Sequence, residues 1–172
     1  MKIEVRKIKF HPGHDDSHSY TAEIYIDGAK AFHASNDGWG GPDIYHSVSG
    51  YAGPDEKSID AWLSANTPKI TSEYFPGELD NDLELVVGEA LNAEIKAKEI
   101  KASRRRFDTL LKKKVIAIDG DRITSWKVEP TSAGIDRVRK AKPHMTIVND
   151  GDAALKERAL IIWCPDLASL TA

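Results

Sequence analysis

Between residues 11 and 18 the chain reads His11-Pro-Gly-His14-Asp15-Asp16-Ser-His18, three imidazoles and two carboxylates within eight positions. Neutral imidazoles and carboxylates are the ligand types that zinc and other divalent transition ions take. On this chemistry His11, His14, Asp16 and His18 are the candidate metal ligands. A second polar run, Ser35-Asn36-Asp37-Gly38-Trp39-Gly40-Gly41-Pro42-Asp43, supplies carboxamide, carboxylate and an indole face. Its glycines leave backbone N–H groups accessible to a ligand. His14, Asp15, Asp16, Asn36, Asp37 and Trp39 are therefore expected to line one ligand site, with Gly40-Gly41 at its floor. With a metal bound, Asp16 or Asp37 would hold a water for general-base work. The competing reading is two ordinary surface loops whose Asn and Asp residues satisfy local turns.

The elements that must bring these loops together are strands. Ile3–Phe10 and Tyr20–Ile26 have strand patterning, and Asp27-Gly28 is a favoured two-residue hairpin turn because both central positions need positive φ. Residues 30–34 then return antiparallel to 20–26. The end of the hairpin where Tyr20 enters is also the end where Ala34 leaves, so both polar loops are expected at one edge.

Familiar catalytic signatures are missing. The chain has no GxSxG, GxxxxGK[ST], HExxH or CxxC, and Gly38-Trp39-Gly40-Gly41 lacks the third glycine of a dinucleotide fingerprint. Cys164 follows Ile161-Ile162-Trp163 and reads as a small apolar residue, and a single cysteine forms no intrachain disulfide. His33 and His144 sit alone in strand patterns, where structural roles are expected.

The fold class expected is α+β in three regions. Residues 1–70 are β-rich and loop-bearing, with a short helix near 55–65 opened by Pro54-Asp55 and closed by Thr67-Pro68. Residues 71–114 carry a long polarised helix, read over 78–114 from Leu83, Val87, Leu91, Ile95, Phe107 and Leu111. Residues 115–172 form a hairpin–helix–strand–helix unit: 115–119 and 122–128 flank Gly120-Asp121, Thr131 or Ser132 caps a helix to about Ala141, 144–148 is a strand, and Asp152 opens the last helix.

The long helix is electrically asymmetric. Seven acids and no base lie between Glu73 and Glu94, whereas Ile95–Lys114 holds nine bases and two acids, net +7. The helix macrodipole favours this order but acts only over the terminal turns, so Arg104-Arg105-Arg106 is not explained by it. Guanidinium forks suit phosphate and carboxylate, making Arg104, Arg105 and Arg106 candidate binding residues and the 96–114 segment a candidate nucleic-acid contact. The whole chain of 172 residues is only weakly acidic, at −3, with 41% hydrophobic residues. Nothing in it approaches a membrane span or a signal-peptide profile, so a cytoplasmic location is expected.

Ser19–Gly28, read as SYTAEIYIDG, followed by Ala34–Gly41, read as ASNDGWGG, resembles segments of small accessory proteins of bacteriophages and prophages. The C-terminal order of hairpin, basic helix and Thr146-Ile147-Val148-Asn149 is similar as well. The resemblance carries no catalytic residues. It implies a viral protein acting in the host bacterial cytoplasm as an inhibitor of a defence system, such as an anti-CRISPR protein, by masking a host protein complex or sequestering a nucleotide. Two classes stay open: this non-enzymatic binder, and a small metal-dependent hydrolase or nuclease working at the His/Asp loop.

Overall fold

Ile3 and Val5 fall two residues apart, as do Ile8 and Phe10, but the two pairs are out of phase by one residue. A regular strand would put one pair on the wrong face. The computed structural model, which describes residues 1–12, 18–72, 75–165 and 167, resolves this with a bulge. Strand β1 (Ile3–Pro12) changes register against β2 (His18–Ile26) between Arg6 and Lys9, and Lys7 takes a left-handed φ of 53°. Ile3, Val5, Ile8 and Phe10 then all pack on one core.

Strand β2 turns at Asp27 (φ 49°) and Gly28 (φ 86°) into β3 (Ala29–Asn36), and β4 (Ile44–Ser47) completes an antiparallel sheet in the order β1-β2-β3-β4. The hairpin is the one the Asp-Gly dipeptide specifies. On β2 every second residue from Tyr20 to Ile26 is buried, giving the inner face. Helix α1 (Glu56–Asn66) covers this face with Ile59 and Leu63, and the beginning of helix α2 (Leu83–Lys113) covers it with Leu83, Val87 and Leu91. The outer face is polar: Glu23 pairs with Lys30 at 2.7 Å and Lys7 at 3.1 Å, and the Arg6 guanidinium stacks 4.2 Å from the Tyr25 ring centre.

Helix α2 begins at Leu83 and not at 78. The chain before it forms a short hairpin, β5 (Ile70–Ser72) and β6 (Phe75–Leu79), with Ile70 opposite Leu79. Asp82 then caps the helix by accepting from the Leu85 N–H at 2.8 Å, while Asp60 of α1 accepts from the Leu83 N–H at 2.9 Å. The hairpin pairing and this cap outweigh the helical propensity of residues 78–81.

The chain divides into two units, residues 1–96 and 97–172, and α2 contributes to both. In the second unit β7 (Val115–Asp119) is the middle strand of a sheet ordered β8-β7-β9, with β8 at Arg122–Trp126 and β9 at Thr146–Ile147. Val115, Ile116, Ala117 and Ile118 are all buried because both faces of β7 are covered. Val115 and Ala117 meet Ile135 and Val138 of α3 (Ser132–Ala141). Ile116 and Ile118 share a cluster with Phe107 of α2 and with Ala159 and Leu160 of α4 (Ala153–Trp163). Thr131 and Asp152 cap α3 and α4 as their side chains predict. The strand expected over 144–148 is confined to Thr146–Ile147, and His144 stands in an exposed turn.

Candidate functional site

Asp43 organises the loop that follows β3. The hydroxyls of Tyr20 and Tyr45 both donate to its Oδ2, the second at 3.0 Å, and the Asn36 carboxamide donates to its Oδ1 at 2.9 Å. Asn36 also donates to the Gly41 carbonyl and accepts from the Gly38 N–H at 2.8 Å, so one side chain closes the turn from both ends. Asp37 accepts from the Trp39 N–H at 3.0 Å. Burial, followed by the hydrogen bond to Asp43, drives the Tyr20 hydroxyl far above the ordinary phenol range; burial and the Asp43 charge do the same to Tyr45. Both phenols therefore remain neutral donors.

The loop after β3 meets the start of β2. Gly38, at a φ of 80°, lies so close to the start of β2 that a Cβ there would stand 2.8 Å from the Ser19 backbone nitrogen. No side chain fits without moving backbone. The reading that both loops share one edge is borne out through His18, Ser19 and the 36–43 segment. His14, Asp15 and Asp16 lie outside the described residues.

A cleft of about 700 Å³ opens at this edge. One wall is His18, Tyr20, Asn36, Gly38, Gly40 and Asp43; the other is Leu79, Asp80 and Asp82 with Glu84, Leu85, Gly88, Glu89, Leu91 and Asn92 of α2. Five carboxylates thus line it, and among the described residues no lysine or arginine does. Lys69 stands just beyond, 3.2 Å from Asp80. Partial burial, together with the charges of Asp43 and Asp82, pushes the Glu84 carboxyl above its ordinary value, although the Asp43 backbone N–H donates to it. Burial is the first cause of this rise and the neighbouring carboxylates the second, and together they outweigh the donated hydrogen bond. Trp39, set between two lining glycines, is 78% exposed, and Ile44 is 52% exposed.

The expected site residues divide between the two faces of the sheet. Asn36 and His18 line the acidic cleft, and His18 packs edge-on against Phe10 at 5.6 Å between ring centres. His11 and Asp37 instead line a smaller concavity of about 330 Å³ with Lys9, Thr21 and Ser35, and Asn36 and Tyr20 border both hollows. The register explains the split: His11 pairs with Ser19 and Pro12 with His18, so the two imidazoles belong to alternate positions and opposite faces. Among the described residues no three His, Cys, Asp or Glu side chains are grouped for a metal. His14 and Asp16, the other candidate ligands, are not described. Gly41 is not part of the cleft lining.

The acidic wall supplied by residues 79–92 was missed from sequence as part of this site, although the acids were counted. Their alternation with Leu83, Val87 and Leu91 was the available signal: the apolar stripe that docks α2 on the sheet necessarily brings its neighbours to the loop edge.

The arginine triplet separates in the second unit. All three are exposed, but Arg104 is engaged by Glu157 of α4 in a two-pronged pair at 2.6 and 2.7 Å, whereas Arg105 and Arg106 have no ion pair among the described residues. Cys164 caps α4, its sulfur 3.7 Å from the Ser103 hydroxyl and its flank on the apolar cluster. Among the described residues no helix is long and apolar enough to cross a membrane.

No family model matches the chain, and neither the curated proteins nor the solved structures contain a match to it.

Proposed function

We propose that this chain is a non-enzymatic binding protein, of the phage accessory kind its sequence resembles, whose acidic cleft docks a cationic segment of a host protein. The partner class that fits is the basic, nucleic-acid-binding surface of a bacterial defence complex such as a CRISPR effector. One observation carries this reading: five carboxylates on two converging walls, with no lysine or arginine among the described lining residues. Such a concavity attracts guanidinium and ammonium groups and repels phosphate. The first unit as a whole has the same sign, with 17 acidic and 8 basic residues, net −9. Exposed Trp39 at the loop supplies an aromatic face of the kind that anchors interfaces and stacks on arginine.

The test is titration of isotopically labelled full chain with a hexa-arginine peptide, followed by amide shifts. Perturbation centred on Asn36, Gly38, Gly40, Glu84, Gly88 and Glu89, abolished in a Glu84→Gln/Glu89→Gln variant that still folds, is the expected result. In cells, expression should restore plating of a phage that a CRISPR system otherwise restricts. Stoichiometric zinc or manganese in the purified protein, lost on His14→Ala, would instead favour the metal-dependent hydrolase and overturn this assignment.

A further inference from the structure

The second unit has the opposite charge, with 10 acidic and 16 basic residues, net +6. Much of that charge lies on the part of α2 beyond residue 96, and its arrangement follows from the helix period. Ile100, Phe107, Leu110 and Leu111 face the apolar cluster under the sheet. At about 100° per residue, Lys101, Arg105 and Lys112 fall within about 40° of one another on the reverse side. All three are exposed. Unlike Arg104, they have no carboxylate partner among the described residues. On the same count Asp108 falls within about 20–60° of the three cations, inside the stripe, and leaves it net positive, whereas Arg106 and Lys113 lie about 80–140° away.

We infer that the exposed stripe Lys101–Arg105–Lys112 is a binding surface for the phosphate backbone of a nucleic acid. The stripe is straight and about 16 Å long at about 1.5 Å per residue. At that length it can face several phosphates of a nucleic-acid backbone, whose charge density is high enough to engage all three cations. A membrane surface fits less well. The exposed large apolar side chains of the described residues, Met1, Trp39, Ile44 and Leu79, are all in the first unit, so the stripe has none to insert beside its cations. This surface is independent of the acidic cleft and its function.

The experiment is fluorescence anisotropy of a labelled 20-base-pair DNA duplex with the full chain at 50 and 200 mM salt. Expected is salt-sensitive binding that weakens at least tenfold in Lys101→Glu/Arg105→Glu/Lys112→Glu, with the log–log salt slope reduced by about 2–3. If charge reversal impairs folding, the Gln triple variant replaces it, with the same direction expected. No binding by the wild-type chain at 50 mM salt, or unchanged affinity in a folded triple variant, overturns the inference. So does tighter binding to anionic phosphatidylserine vesicles, or to a poly-glutamate peptide, than to the duplex.

Discussion

The Tyr20 hydroxyl donates to Asp43, joining the buried face of β2 to the loop that follows β3. Tyr45 reaches the same oxygen at 3.0 Å, so the carboxylate is held between a central and an edge strand. The cleft wall therefore has a rigid root in the sheet core. Removing one donor to a charged acceptor costs about 1.5–3 kcal/mol. Tyr20→Phe should lower stability by about that amount and expose residues 36–43 to limited proteolysis. Urea midpoints and the cleavage pattern check both; an unchanged cleavage pattern would show that Asn36 alone fixes the loop.

Asn149 should prove as costly to replace as a core residue. Its amide donates at 2.8 Å to the carbonyls of Leu111 and Lys114 at the end of α2, and its oxygen accepts from the Ile116 N–H at 2.7 Å. One side chain thus finishes a helix and starts a strand. Asn149→Ala should cost on the order of 2–3 kcal/mol, since it leaves backbone groups unpaired. Asn149→Asp sets an anion against two carbonyls, so its penalty should shrink as pH falls and the acid protonates. Thermal melts of both variants at pH 7 and pH 4 distinguish this capping role from simple packing.

Acid should weaken the first unit through Glu23. Lys30 first, then Lys7, hold its carboxyl down to about 2, from an ordinary value of 4.5. A carboxyl lowered on folding contributes stability that is present above 4.5 and is lost as pH falls toward about 2. Glu23→Gln should flatten the stability–pH curve in that window and leave its alkaline side alone. Raised salt should shrink the difference, because these pairs stand on the exposed face of the sheet.

How far the sequence foretold this protein varies with the range of the interactions. Asp27-Gly28, Asp55, Thr131 and Asp152 act on neighbours within three residues, and each forms the turn or cap that its chemistry implies. The apolar run of β7 announced a buried strand. The β5–β6 hairpin stayed hidden because residues 70–79 lack a period-2 pattern and a primed-turn dipeptide. The candidate site was half legible: two loops at one edge followed from hairpin geometry, but the carboxylates of 80–89 join them only through helix docking. His11 and His18 were grouped by proximity along the chain, which cannot tell one sheet face from the other without the register.

Glu84 offers the most direct test of the cleft, since stability and binding should move in opposite directions there. Burial first, then the charges of Asp43 and Asp82, raise its carboxyl above 4.5. A carboxyl raised on folding contributes stability fully present below its unfolded value, and that contribution is lost as pH rises through the folded value. At neutral pH the ionised Glu84 is therefore a net cost to the fold. Glu84→Gln should raise the melting temperature at pH 7, with the gain fading at pH 4. The same substitution removes a negative charge from the cleft, so hexa-arginine should bind less tightly at pH 7. In the wild-type chain that affinity should fall as the medium is acidified through the raised Glu84 value, earlier than an ordinary glutamate would dictate. Calorimetric titration between pH 4 and pH 7, alongside melting curves, reads both quantities. A variant that is stabilised yet binds the peptide unchanged would leave the negative field intact as physics and remove it as the means of recognition.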